Sequence, residues 1–112
     1  MAARRLSWLL LGLAACAPRL PVPPEASHAG DAYRAVPYPP PPAKVEVPPT
    51  RPSDAAVWLD GYWSWNGAGY GWKPGQWVVP EPGAAYARPT LVRLRNGELL
   101  YYEGTWKSAP SK

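Results

Sequence analysis

At 112 residues the chain has room for one small domain, and its 12 Lys and Arg against 8 Asp and Glu give a formal charge of +4. Its single cysteine, Cys16, excludes an intrachain disulfide. Residues 54–107 contain no His and no Cys, which removes the usual nucleophile–base pairs and metal-ligand spacings from that half of the chain.

The first segment reads as a leader. Arg4 and Arg5 precede an apolar run over residues 6–13, and Leu13-Ala14-Ala15-Cys16 follows. Basic start, apolar core and small residues come in the order of a secretory signal, and the core is too short to span a bilayer as a mature helix. The last four residues resemble the bacterial lipobox. That reading makes residues 1–15 a signal peptide and Cys16 the lipidated N-terminus of the mature chain; the plain alternative is ordinary cleavage that leaves a free thiol. Ala17 after the cysteine, where the bacterial sorting pattern would place Asp for retention, points to the outer membrane. The expected location is therefore the bacterial cell envelope, with the membrane as a partner through the anchor. Loss of Arg4 and Arg5 leaves 10 basic residues against 8 acidic ones, a charge of +2, so no nucleic-acid partner is expected.

Residues 16–53 read as the anchor and a disordered, proline-rich linker. Twelve of the 17 prolines fall between Pro18 and Pro52, among them Pro39, Pro40, Pro41 and Pro42. Proline cannot donate to a ladder and favours polyproline II, so an extended, semi-rigid segment reaching on the order of 100 Å is expected. Tyr33, Tyr38 and His28 read as solvated bystanders in it, with a docking motif of the PxxP kind as the competing reading for the tyrosines.

Five of the seven tryptophans lie in the next 20 residues, Trp58 to Trp77. The spacing aromatic-x-x-Gly-x-Trp occurs at Trp58–Gly61–Trp63 and at Trp72–Gly75–Trp77, and more weakly at Tyr101–Gly104–Trp106. Two β arrangements fit. In a meander, Asp60-Gly61, Pro74-Gly75 and Glu103-Gly104 are tight turns with glycine at positive φ, so Trp58 faces Trp63, Trp72 faces Trp77, and Tyr101 faces Trp106. In a longer hairpin, roughly 57–65 with 70–79, Gly61 and Gly75 mark bulges or close approaches, and Trp58 lies near Trp77. Pro74 suits hairpin-turn twist poorly and favours the second arrangement. Both place Asn66-Gly-Ala-Gly69 at a turn and pair Trp65 with Tyr70 and Trp63 with Trp72.

After a loop marked by Pro80, Pro82 and Pro89, residues 91–102 read as a hairpin about a type I′ turn at Asn96-Gly97. That turn would pair Arg95 with Glu98, Leu94 with Leu99 and Val92 with Tyr101. The expected fold class is thus small all-β, with antiparallel hairpins or a meander of about four short strands over residues 54–107. Residues 108–112 form a frayed tail.

The stretch from Trp58 to Pro82 resembles bacterial WXXGXW-repeat (YXWGXW-repeat) proteins, small exported or lipid-anchored chains. The matching residues are Trp58, Gly61, Tyr62, Trp63, Trp65, Tyr70, Trp72, Pro74, Gly75, Trp77 and Pro80. The resemblance covers about a quarter of the chain. It implies class and envelope location, and carries no activity.

No catalytic, cofactor or metal residues are expected, and an enzyme is the remotest reading. Two functions remain. One is a structural or protein-interaction module in the envelope, in which Trp58, Trp63, Trp65, Tyr70, Trp72, Trp77, Tyr101 and Trp106 form the core and Gly61, Gly75 and Gly104 serve the repeat geometry. The other is a cell-wall glycan-binding module in which the same rings form a stacking platform. With no Phe and few aliphatics, something must fill the core, and Trp brings the largest area per residue.

Overall fold

The computed structural model describes residues 19–108. The signal peptide expected at 1–15, the anchor expected at Cys16 and the tail beyond Ser108 lie outside the described residues. The fold is all-β, built from nine short strands: β1 (Arg34–Val36), β2 (Val57–Leu59), β3 (Tyr62–Trp65), β4 (Tyr70–Lys73), β5 (Gln76–Val78), β6 (Ala85–Ala87), β7 (Thr90–Arg93), β8 (Leu99–Tyr102) and β9 (Thr105–Lys107). Every pairing between them is antiparallel.

Nine strands replace the expected four because each of four long strands is broken once, giving eight, and β1 adds a ninth. β2 pairs with β5 through Val57↔Val78, Trp58↔Trp77 and Leu59↔Gln76, and β3 pairs with β4 through Tyr62↔Lys73, Trp63↔Trp72 and Trp65↔Tyr70. The two ladders keep one register, so residues 57–65 and 70–78 are a single long hairpin. Asp60-Gly61 on one strand and Pro74-Gly75 on the other interrupt it at the same level. Trp58 therefore faces Trp77, and the meander pairing of Trp58 with Trp63 and Trp72 with Trp77 is corrected. The turn is closed by the Asn66 amide on the Gly69 carbonyl (3.0 Å) and by the Asn66 side chain, which accepts from the Ala68 and Gly69 amides. Gly67 supplies the positive φ there, +98°.

The second half repeats this layout. β6 and β7 begin 28 residues after β2 and β3, and β8 and β9 begin 29 residues after β4 and β5. One extra residue in the turn accounts for the difference. Residues 85–93 and 99–107 again hold one register through Ala85↔Lys107, Tyr86↔Trp106, Leu91↔Tyr101 and Arg93↔Leu99, broken at Arg88-Pro89 and Glu103-Gly104. Tyr86–Trp106 thus stands where Trp58–Trp77 stands in the first hairpin. The third sequence repeat pairs Trp106 with Tyr86, not with Tyr101.

The expected register of this second hairpin is also corrected, by one residue. The Leu94 amide bonds the Glu98 carbonyl and the Gly97 amide bonds the Leu94 carbonyl, so three residues form the loop. Gly97 has φ +92°, while no non-glycine residue among those described has positive φ, which rules out a type I′ turn at Asn96. A one-residue slip exchanges the faces of every side chain. Leu91, Leu99 and Tyr101 accordingly meet Val36, Trp65 and Tyr70 in a hydrophobic cluster, and Val92 and Leu94 are exposed.

The repeat glycines do not form turns, because none of Gly61, Gly75 and Gly104 has positive φ. They are points of close approach. A Cβ on Gly75 would strike the Trp58 ring, one on Gly61 the Trp72 ring, and one on Gly104 the Tyr86 ring. The rule is the same each time: the aromatic opposite the Trp of Gly-x-Trp leans across the ribbon onto the glycine two residues before that Trp.

The proline-rich segment has little regular structure, as its composition dictates. Over the described residues, however, what the sequence reads as a disordered linker is laid on the sheets. β1 adds to the edge of β8 through Arg34↔Tyr101 to Val36↔Leu99. Upstream, the Pro21 carbonyl accepts from the Trp58 amide and the Pro24 carbonyl from the Tyr86 amide, both at 2.8 Å. The free extended reach is therefore not realised over residues 19–53. The physical reason is a match of unpaired strand edges with a segment rich in free carbonyls.

Gly75→Ala and Gly104→Ala should each destabilise the fold by about 1–3 kcal/mol through overpacking. Gly71→Ala, whose Cβ would meet nothing within 4 Å, should stay within about 0.5 kcal/mol of the parent. Urea denaturation of the three variants checks the contrast.

Candidate interaction site

Chirality ties a residue's hydrogen-bond direction to the ribbon face its side chain takes. Residues whose N–H points away from the partner strand project from one face and pack closest across it. The Trp58 amide is bonded to Pro21, the Trp65 amide to Glu103, and the Trp63 carbonyl to the Tyr101 hydroxyl. All three therefore point away from their partners. The pairs Trp58–Trp77, Trp63–Trp72 and Trp65–Tyr70 consequently share one face of the first hairpin, with ring centroids at 5.3, 5.2 and 4.9 Å and tilts of 65–68°. In an unbroken strand, the five-residue step from Trp58 to Trp63 would put them on opposite faces. The paired breaks at Gly61 and Gly75 restore the phase and make a continuous aromatic ladder.

Residues 38–49 lie along that ladder. Tyr38 sets its ring edge against Trp65 and Tyr70 (5.7 and 5.6 Å), and its carbonyl accepts from the Tyr70 hydroxyl at 2.7 Å. The Trp63 indole donates to the Pro42 carbonyl at 3.0 Å and the Trp77 indole to the Pro49 carbonyl at 2.8 Å. Lys44 Nζ stands over the Trp63 and Trp72 rings, 5.3 and 5.8 Å from their centroids. Between these contacts, Glu46 enters the break. Its Oε1 accepts from the Gly75 amide at 2.9 Å, and its Oε2 from the Trp72 indole at 3.3 Å. The chemistry is complementary, since an indole N–H only donates and a proline residue offers the backbone only a carbonyl. Polyproline II leaves those carbonyls unpaired.

Glu103 joins the two hairpins. Its Oε1 accepts from the Ser64 hydroxyl (2.9 Å) and the Trp65 amide (3.0 Å). Oε2 is buried and has no hydrogen-bond partner among the described residues, although the Tyr62 hydroxyl is near enough to feel its charge. Burial first, and the Glu103 charge second, raise the Tyr62 phenol and push that of Tyr101 up to about 12. Sequence reasoning saw Glu103 only as a turn residue, because the partner side chains come from a distant strand.

His28 is likewise no bystander. Its ring stacks on Tyr102 at 4.8 Å, Nδ1 lies 2.9 Å from the Asp31 carboxylate, and Nε2 meets the Arg88 carbonyl. Lys107 closes on the same carboxylate and lowers the Asp31 pKa, with a smaller lowering contribution from His28. This cluster pins the arm over residues 21–31 to the second hairpin.

The structure thus brings Trp58, Trp63, Trp65, Tyr70, Trp72 and Trp77 together with Gly61 and Gly75, while Tyr101, Gly104 and Trp106 belong to the second hairpin. Trp58 and Tyr101 are buried; Trp63, Trp65, Trp72, Trp77 and Trp106 are half-buried. No group of three or more His, Cys, Asp or Glu gathers in a metal-ligating arrangement among the described residues. Comparison with family models, curated proteins and solved structures finds no match to this chain.

Two pH limbs follow. Asp31 is lowered from 3.8, so its contribution is complete above that pH and is lost as pH falls through the lowered value. Hydrogen exchange in residues 21–31 should speed up there, and Asp31→Asn should abolish that acid limb. Tyr101 is raised from 10.0, so its contribution is complete below pH 10 and is lost as pH rises through about 12. Near-UV circular dichroism should show the alkaline loss, and Tyr101→Phe should reduce it, leaving the part due to the other raised phenols.

Proposed function

We propose that the chain is a lipid-anchored protein of the bacterial cell envelope, held at the outer membrane through Cys16, whose β module has a structural or protein-docking role. One observation above all supports docking over sugar stacking. Four of the ladder's donors, the Trp63, Trp72 and Trp77 indoles and the Tyr70 hydroxyl, are satisfied by an extended peptide segment, residues 38–49. A platform for pyranose rings instead needs ring faces open to solvent. The resemblance to WXXGXW-repeat proteins agrees with the envelope class, and the lipobox supplies the anchor.

A glycan-binding role draws on a different residue. Trp106 is half-buried beside a cleft of about 350 Å³ lined by Val79, Glu81, Ala84 and Lys107. Among the described residues its indole N–H has no hydrogen-bond partner.

Cys16→Ala should release the protein from the membrane fraction or leave an unprocessed precursor. Unchanged fractionation with normal cleavage would overturn the anchor. The purified protein should stay in the supernatant when spun with peptidoglycan. Sedimentation that Trp106→Ala abolishes without loss of fold would favour the glycan role instead.

A further inference from the structure

The aromatic ladder of the first hairpin has the properties of a binding groove. Three donors, the Trp63 and Trp77 indoles and the Tyr70 hydroxyl, meet main-chain carbonyls of residues 38–49. These bonds read the backbone of an extended, proline-rich chain and need no particular side chain. Two further contacts do read side chains: Lys44 over the Trp63–Trp72 pair, and Glu46 in the break. The glycines create that second subsite, since a Cβ on Gly61 would strike the Glu46 carboxylate. Proline-rich segments docking in aromatic-lined grooves are a general recognition mode, favoured because polyproline II is already ordered before binding.

We propose that this ladder is a docking groove for an extended proline-rich segment of a partner protein, with a carboxylate side chain at the level of Gly61 and Gly75, and that residues 38–49 occupy it in cis until the partner displaces them. The proposal rests on the protein-docking reading above and specifies its ligand. It assigns residues 38–49 a second role as a tethered competitor. A tethered segment acts at a millimolar effective concentration, so the partner must be tighter, locally concentrated or multivalent. Displacement has a mechanical consequence. The twelve freed residues become an open loop of about 37 Å contour as polyproline II between β1 and β2, both of which stay paired.

The probe is a fluorescent peptide with the sequence of residues 37–50, carrying Arg in place of Lys44. It should bind the full chain weakly and saturably. The Tyr38→Ala/Glu46→Ala double variant, whose own segment is loosened, should bind it at least 10-fold more tightly. Trp63→Phe in that host keeps a ring and loses the indole donor, and should weaken binding about 5-fold. A peptide with Gly and Ser in place of its prolines should not bind. If the double variant fails to fold, the parent chain still decides. A protease that cuts only after lysine should cleave between Lys44 and Val45 several-fold faster with excess probe, because the probe releases the docked segment and is itself resistant.

No saturable binding to a folded host, equal binding of the Gly/Ser control, or unchanged cleavage under excess probe would overturn the proposal. So would a concentration-dependent dimer of the parent chain in sedimentation, since the groove would then be filled by a second copy. A negative result here, with Cys16→Ala still releasing the protein and no sedimentation with peptidoglycan, rejects this groove while leaving an anchored module standing.

Discussion

The module depends on one contact made three times: an aromatic ring that crosses a two-stranded ribbon and lies on a glycine two residues before its Trp partner. Trp58 does this on Gly75, Trp72 on Gly61 and Tyr86 on Gly104. Removing the Cβ lets a large ring lie flat against backbone, which buries apolar area in a ribbon too thin to bury it otherwise. An aromatic pair adds about 0.5–1.5 kcal/mol beyond its area. In a domain this small, with no Phe, a few such pairs are a large share of net stability. The same glycines break the ladder in step on both strands. That rephases the hairpin and keeps successive Trp pairs on one face.

The two hairpins share a plan and divide the work. Where the first has Trp63, Trp65, Tyr70 and Trp72, the second has Leu91, Arg93, Leu99 and Tyr101 at matching positions. Aliphatic residues there make the second hairpin a packing surface, where Leu99 and Tyr101 join Val36 from β1. Trp and Tyr make the first a surface of ring edges and indole donors. Glu103 and the Tyr101 hydroxyl join the two at the outer edge of β3.

The proline-rich stretch completes what the hairpins leave open. Strand edges and indole N–H groups need acceptors, and a segment poor in donors but full of carbonyls supplies them at little ordering cost. Its first part, through residue 36, is held to the sheets by the Pro21 and Pro24 carbonyls and by β1, so residues 38–49 are tied to the module at both ends. Arm, segment and ladder therefore form one linked system, with His28, Asp31 and Lys107 pinning one end.

The all-β class, the Asn66–Gly69 turn and the Trp63–Trp72 and Trp65–Tyr70 pairs were legible in the sequence, because each follows from local turn chemistry and a period of two. The unsuitability of Pro74 for a hairpin turn also pointed to the long hairpin. Three things could not be read locally. The role of Gly104 required Tyr86, a residue outside the repeat pattern. The second hairpin's register turned on the backbone at Asn96-Gly97, where the sequence reads as a two-residue type I′ turn but only Gly97 has positive φ and the loop holds three residues. The docking of residues 38–49 turned on which donors the folded sheet leaves unpaired. By itself the sequence determined the strands of the first hairpin and their register about the Asn66–Gly69 turn, but not β1 or β6, since short-range sterics and alternation are properties of neighbouring residues. Only the tertiary structure decided which faces meet and what covers them, because burial and hydrogen-bond satisfaction are settled between residues far apart in the chain.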